Sequence, residues 1–399
     1  MFKFIHTSDW HLGQNFYGYD RRVEQREFLQ QLAGIVRKHQ PDALLVSGDI
    51  YHTAAPSSTA VNMYVESMLN IHDACPSMAI IVIAGNHDSA ARLESDSRLW
   101  ERAGVRILGS ISRDNEGYAD LEHHIIRVGD NGIVAAVPFA YPTSFPQISN
   151  EPTESEGRQH AYFQALLDHV ADLNVASVPV VLMAHLAVNN SDFTGHDRNM
   201  AMECVDLDTL GSGYDYAALG HIHRPQDVSE RVRYCGTPIA VSFDEQCEHS
   251  VSIVELDSHG ASPRVSTKRI KNIKPLHTIP ANEPMAFDEV IDALSRCDDI
   301  EGAYVRLNVL VDRYLPSGSQ ERAAQAVSEK KGRFCEIKKT TYSSPNNVTH
   351  QMTIEEFNRK SPLEIANQFF IDENGTPMTE QEKRMFNQVY QMVIEEKRQ

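Results

Sequence analysis

The segment Ile80-Ile81-Val82-Ile83-Ala84-Gly85-Asn86-His87-Asp88 decides the fold. Four apolar residues read as a buried strand. A small residue and a glycine then let the backbone turn, and an amide, an imidazole and a carboxylate follow. Such side chains can sit on a metal, move a proton and orient a neighbour. Four other places share the plan. Strand 2–6 leads to Asp9 and His11, which lie two apart and would point the same way in an extended segment. Ala43-Leu44-Leu45-Val46 leads to Gly48-Asp49 and His52, Val180-Val181-Leu182-Met183 to His185, and Tyr216-Ala217-Ala218-Leu219 to His221 and His223. Polar residues at the carboxyl ends of buried strands are where α/β sheets place their sites.

Helical spacing recurs at 20–39, 57–72 and 159–172, and further strand-like runs occur at 105–108, 124–128, 133–137, 232–235 and 250–256. So many strands suit two stacked sheets flanked by helices, an α/β layered α-β-β-α sandwich. Acidic Ser149 to Gly157 reads as a surface loop. A proline cluster at Pro275, Pro280 and Pro284 marks a boundary, so a first domain spans 1–274. Residues 275–345 hold a small α+β unit with helices at 287–296 and 319–330 and strands at 304–309 and 335–341. Residues 350–399 form a helical tail. Thr353 with Glu356, Ser361 with Glu364 and Thr379 with Glu382 fit the capping box. The tail's apolar stripes suit packing on the body of the protein or docking on another one.

The chain has 399 residues, 41% hydrophobic and 23% charged, enough for two or three domains. No apolar run approaches a membrane span of ~20 residues. The N-terminus lacks a signal-peptide layout, which predicts a cytoplasmic protein. Six scattered cysteines form no C-x-x-C pair and read as reduced thiols. A net charge of −18 argues against a basic DNA-coating protein. It does not exclude phosphate substrates, because bound divalent cations invert local charge.

Asp9, His11, Asp49, Asn86, His185, His221 and His223 supply two carboxylates, one amide and four imidazoles. Mixed N/O donors without thiolate suit Mn²⁺, Fe²⁺ or Zn²⁺ rather than a structural zinc. Seven donors exceed one ion's needs and fit two, with Asp49 a candidate bridge. Two ions ~3.5–4 Å apart clamp the attacking and leaving oxygens of a displacement at phosphorus. Taken singly each residue has a bland reading as a turn former, core histidine or surface pair. Five strand ends furnished alike argue for one shared site.

Asp9-x-His11, Gly48-Asp49, Gly85-Asn86-His87-Asp88, His185 and Gly220-His221-x-His223 together resemble the calcineurin-like metallophosphoesterase signature. The wording of residues 6–15, 218–224, 234–239 and 242–245 is similar to that family's bacterial nuclease subunits, which work with an SMC-like ATPase. The resemblance implies that Asp9, His11, Asp49 and His223 hold one ion. Asp49, Asn86, His185 and His221 would hold the other, with Mn²⁺ usual. It makes His87 the general acid, gives Asp88 the task of orienting that ring, and leaves His52 a second active-site histidine of less defined role. It further implies a small capping domain, tail helices that dock on the ATPase, and pairing of two copies through apolar faces at 61–69 and around Leu93, Leu99 and Trp100. The implied activity is a DNA nuclease, 3′→5′ exonuclease on duplex ends and endonuclease on single strands and hairpins, serving repair, recombination and replication.

No G-x-x-x-x-G-K-[ST] loop is present, so ATP use belongs to a partner. Asn15, Tyr17, Arg92 and Arg224 flank the site in sequence and are candidate DNA contacts, with solvated surface the plain alternative. A small-molecule or cyclic-nucleotide phosphodiesterase would share every ligand but has no need of the added unit and tail. A non-catalytic scaffold on the same fold would tolerate lost ligands, and none is missing.

Overall fold

A computed structural model describes residues 1–149, 155–195, 204–312, 314–341, 361–374 and 377–396. Twelve strands build two six-stranded sheets. In chain order these are β1 (Phe2–Thr7), β2 (Ala43–Ser47), β3 (Ala79–Ile83), β4 (Val105–Leu108), β5 (Ile125–Val128), β6 (Gly132–Val137), β7 (Val180–His185), β8 (Tyr216–Gly220), β9 (Gln226–Ser229), β10 (Val232–Tyr234), β11 (Ser250–Leu256) and β12 (Arg264–Arg269). The first sheet runs β12-β11-β1-β2-β3-β4 and the second β9-β10-β8-β7-β6-β5. Strands β1 to β4 pair in parallel, as do β6, β7, β8 and β10, so both sheets point one end toward a common edge.

Alternation sorts the side chains into layers. Phe4, Leu45, Ile81 and Ile83 meet Val134, Val181, Met183 and Ala218 between the sheets. Ile5, Leu44, Val46, Ile80 and Val82 point the other way, onto α1 (Arg22–His39) and α2 (Ser58–Ala74). Leu182, Ala184 and Leu219 pack on α3 (Ser155–Leu173), completing the α-β-β-α sandwich. Both faces of the central strands are covered, which is why they read as continuous apolar runs.

A third, all-parallel sheet joins β13 (Leu276–Ile279), β14 (Tyr304–Val311) and β15 (Arg333–Thr341). With α4 (Phe287–Ser295) and α5 (Ser319–Glu329) it encloses its own core of Val290, Leu294, Val305, Leu307 and Val327. It meets the sandwich through Tyr304, which is buried against Phe16 and donates its hydroxyl to Glu24 Oε1 at 2.5 Å. Two helices, α6 (Pro362–Asn374) and α7 (Glu380–Glu396), lie near the end of the chain.

Both described tail capping boxes form. The Ser361 and Thr379 backbone N–H groups donate to Glu364 and Glu382, each at 2.7 Å. Thr353 and Glu356 lie outside the described residues. Three expectations are corrected. Helix α3 starts at Ser155, inside the segment read as loop, and Asn150 to Glu154 lie outside the described residues. Edge strand β12 has no apolar run to announce it, since its side chains are almost wholly solvent-facing, and edge strands β9 and β13 are only four residues long. Asp9 and His11 are not extended: their φ angles are 54° and 45°, because β1 ends at Thr7. Of the apolar faces expected to pair two copies, Met68 is buried in the protein's own core, while Leu69 and Leu99 are exposed.

Candidate metal centre

The five strand ends converge. Beyond β1 and β2 the two chains continue side by side, the Asp9 N–H donating to Gly48 O at 2.9 Å and the His11 N–H to Asp49 O at 3.0 Å. Left-handed backbone at Asp9, His11, Asp49 and His221 turns their side chains back over the sheet edge. Such conformations cost energy and collect at functional sites. The sheets touch here backbone to backbone. A Cβ on Gly220 would lie 1.8 Å from Ser47 O, so only glycine fits.

His11 Nε2 lies 3.3 Å from His223 Nε2 and 3.7 Å from Asp49 Oδ2. His185 Nε2 lies 3.6 Å from Asp49 Oδ1 and 3.0 Å from Asn86 Oδ1, and His221 Nδ1 is 2.8 Å from that same amide oxygen. Asp49 thus faces both halves of the cluster. Asp9 joins both, its donor atom grouping with His11 and His223 on one side and with Asp49 and His185 on the other. All seven residues read as ligands come together.

Second partners fix the tautomers. His185 Nδ1 donates to the Ser47 carbonyl at 2.8 Å, so its Nε2 presents a lone pair inward. His223 Nδ1 donates to Glu245 Oε1 at 3.0 Å, which turns its Nε2 lone pair toward His11. The His185 Nε2 lone pair therefore faces the Asn86 amide oxygen at 3.0 Å and the Asp49 carboxylate at 3.6 Å, an arrangement that a cation between them satisfies. Burial opposes a charge on His223, yet Glu245, Asp9 and Asp49 push its pKa up to about 9, so a cation bound at its Nε2 would displace a proton. Burial itself raises the Asp9 and Asp49 carboxyls and lowers His11 well below its usual range. The donor set fits divalent metal.

His87 sits at the rim. Its backbone N–H donates to Asp49 Oδ1 at 2.9 Å, and its ring lies 4.9 Å from that of His11. Its Nδ1 donates to His52 O at 2.9 Å, so the neutral ring carries its lone pair on Nε2. The His52 ring stacks on it at 5.8 Å with planes 20° apart. The ring is thus held by the His52 carbonyl and not by the Asp88 carboxylate. The Asp88 carboxylate instead accepts from the backbone N–H groups of Ile50, Tyr51 and Gly85 at 3.0, 2.9 and 2.9 Å. It clamps the turn after β2 to the turn after β3.

The candidate DNA contacts scatter. Arg224 pairs with Asp192 at 3.1 Å. Arg92 is exposed on the short helix Ala90–Glu94. Asn15 is exposed in a small hairpin, and Tyr17 leans on Phe16 and Phe243 at the junction with the third sheet. Glu245 had no role in the residue-by-residue reading. It follows His223 by 22 positions, and no local spacing links the two.

The family model described as calcineurin-like phosphoesterase matches residues 2–225. The SbcD component of the nuclease SbcCD from Rhodobacter capsulatus is 32% identical over 78% of this chain and 81% of its own. The chain belongs to the calcineurin-like phosphoesterase family, in its SbcD branch. The Escherichia coli K12 protein of the same name is 29% identical over 82% of each chain. That of Bacillus subtilis is 31% identical over 63% of this chain and 66% of its own. Membership makes the chain a metal-dependent phosphodiesterase of a nuclease family, and Asp9, His11, Asp49, His185 and His223 form groups that could hold a divalent ion.

Proposed function

We propose that this protein is the nuclease subunit of a complex with an SMC-like ATPase, cutting DNA with two Mn²⁺ ions. Asp9, His11, Asp49 and His223 hold one ion, and Asp49, Asn86, His185 and His221 the other. The observation that carries this reading is the meeting of inward-facing lone pairs from five strand ends around Asp49. When bound, the ions supply an activated water and neutralise charge on the phosphate. The chain's residues do the rest. His87, held through Nδ1 and free to carry a proton on Nε2, protonates the leaving 3′ oxygen. His52 fixes that ring, and Asp88 fixes the turns that present both.

Residues 1–274 form the nuclease domain and 275–345 a capping domain. Residues 350–399 dock on the ATPase through the apolar stripes of α6 and α7. Two copies pair through the faces around Leu69 and Leu99. The protein is cytoplasmic and acts as a 3′→5′ exonuclease on duplex ends and an endonuclease on single strands and hairpins. The names of the relatives support a nuclease in a two-protein complex. No helix among the described residues is long and apolar enough to cross a membrane.

The test incubates the protein with Mn²⁺ and end-labelled duplex, hairpin DNA or a chromogenic phosphodiester. His87→Ala is expected to bind Mn²⁺ normally and to abolish DNA shortening. Turnover of the small ester with all DNA left intact, even with the ATPase added, refutes the nuclease reading.

A further inference from the structure

A groove of about 340 Å³ opens beside Asn86. Phe139 and Tyr141 line it, with Ser110 and Ser144. The aromatic rings continue outward from the ligands. His185 lies 6.2 Å from Phe139, edge to face, and Phe139 lies 5.2 Å from Tyr141. Tyr141 is 65% exposed, a large ring open to solvent. The segment carrying it is nevertheless pinned. The Phe139 N–H donates to Ala84 O at 2.9 Å, the Ser144 N–H to Tyr141 O at 2.8 Å, and Arg113 Nη2 to Ser144 O at 2.8 Å. The backbone that presents the ring is therefore fixed, and the ring itself rests edge-on against Phe139.

The groove's charge narrows its ligand. None of its described lining residues is cationic, and the one carboxylate among them, Asp88, is occupied by three backbone N–H groups. A phosphate meets no cation there, whereas a flat, uncharged heterocycle has the Tyr141 ring to stack on and polar lining residues, Asn86, Ser110 and Ser144, beside it. We propose that this groove binds the nucleobase next to the scissile phosphodiester, stacked on Tyr141, when that phosphate lies at the metal cluster. The inference rests on the nuclease reading above and adds a specificity element to it. A base inside a duplex is already stacked on its neighbours, so only an unpaired or frayed base can enter. Tyr141 thereby favours phosphodiesters in single strands, hairpin loops and melted ends.

The experiment measures Mn²⁺-dependent cleavage of labelled single-stranded oligonucleotides. Each intact strand is matched with one carrying a tetrahydrofuran abasic unit at a single position. Removing the base is expected to slow wild-type cleavage about tenfold at the adjoining phosphodiester. Tyr141→Ala is expected to cut the intact strand about as slowly as wild type cuts the abasic one, with no further abasic penalty. Tyr141→Phe is expected to behave as wild type. Mn²⁺ affinity, read by calorimetry, should be the same in all three. Wild-type cleavage indifferent to the abasic unit at every position overturns the proposal, as does an abasic penalty that persists in Tyr141→Ala. Failure of wild type to cut any DNA is a different pattern, and it overturns the nuclease reading and this one together.

Discussion

Gly85→Ala tests how tightly the strand ends are fitted. A Cβ at residue 85 would lie 2.1 Å from Asp49 Oδ1, 2.3 Å from Asp49 N and 2.7 Å from Asp49 Cγ. Non-bonded atoms need a little over ~3 Å, so something must move by about 1 Å. A flexible side chain could yield cheaply, but here a backbone nitrogen is among the atoms struck. The overpacking costs roughly 1–3 kcal/mol, which a domain of this size survives with a melting point lower by several degrees. Function is hit harder. Asp49 is the carboxylate between His11 and His185, and a misplacement of ~1 Å in a catalytic group costs on the order of 100-fold. The assay pairs calorimetric Mn²⁺ titration with kcat/KM on a chromogenic phosphodiester, and a circular-dichroism melt confirms folding. A folded Gly85→Ala protein with wild-type Mn²⁺ affinity, and turnover within about threefold of wild type, would refute the fit described here.

Glu245→Gln leaves a carboxamide beside His223 Nδ1 and is expected to weaken Mn²⁺ binding ~10–100-fold with little change in melting point. Unchanged affinity would mean that His223 needs no such partner. His124 is clamped in its neutral form, donating from Nδ1 to Ala136 O at 2.7 Å and accepting the Ser112 N–H on Nε2 at 2.9 Å. Burial pushes its pKa down from 6.5 to about 4. The unfolded chain therefore takes up this proton first, so stability is full above pH 6.5 and falls toward pH 4, by up to roughly 3 kcal/mol. Urea unfolding from pH 7.5 to 4 should show a shallower decline in His124→Gln, and equal slopes in the two proteins would rule this out. Gly34 is exposed in α1 with open space where a Cβ would stand, so Gly34→Ala should raise stability by about 0.5–1 kcal/mol in the same assay without altering Mn²⁺ affinity.

What the sequence disclosed follows from where its information is local. Strands covered on both faces write themselves as apolar runs, so the five that end at the site were legible from Ile80 to Leu219. β12, Arg-Val-Ser-Thr-Lys-Arg, was not. It is almost wholly exposed and is held by its ladder to β11, a partner no window of sequence can display. The seven donors that come together were legible because each ends its strand or follows it within a few residues. Their supports were not. Glu245 reaches His223 from a separate turn, and Ser47 reaches His185 through a backbone carbonyl that any residue type could supply. Asp88 was misassigned for a related reason. Adjacency in sequence to His87 suggested a side-chain partnership, but successive residues at a sharp turn diverge, and Asp88 turns down onto the Ile50 and Tyr51 amides. Left-handed backbone at Asp9 and His11 has no residue-level signal either, since neither is glycine.

The third sheet and the metal cluster are tied to the same turn of helix. Gln25, in the first turn of α1, donates to His11 O at 3.0 Å and accepts the Gly13 N–H at 3.1 Å, so it fixes the loop that carries His11. Its neighbour Glu24 is buried and takes the Tyr304 hydroxyl at 2.5 Å and Lys274 Nζ at 2.9 Å. Arg21, just before the helix, lies 5.1 and 5.8 Å from the Phe16 and Tyr304 rings and donates to Ala240 O at 2.5 Å. The next residue along, Val241, donates its N–H to Glu245, the partner of His223. A buried carboxylate stripped of its partners costs several kcal/mol, so the sheet cannot leave Glu24 without a compensating rearrangement of that helix end. His11 and His223, opposite each other at 3.3 Å, are thus held by Gln25 and Glu245, and Gln25 adjoins Glu24, which binds Tyr304 of the third sheet. Their separation is a property of the whole chain from Asp9 to Tyr304, not of the sandwich alone.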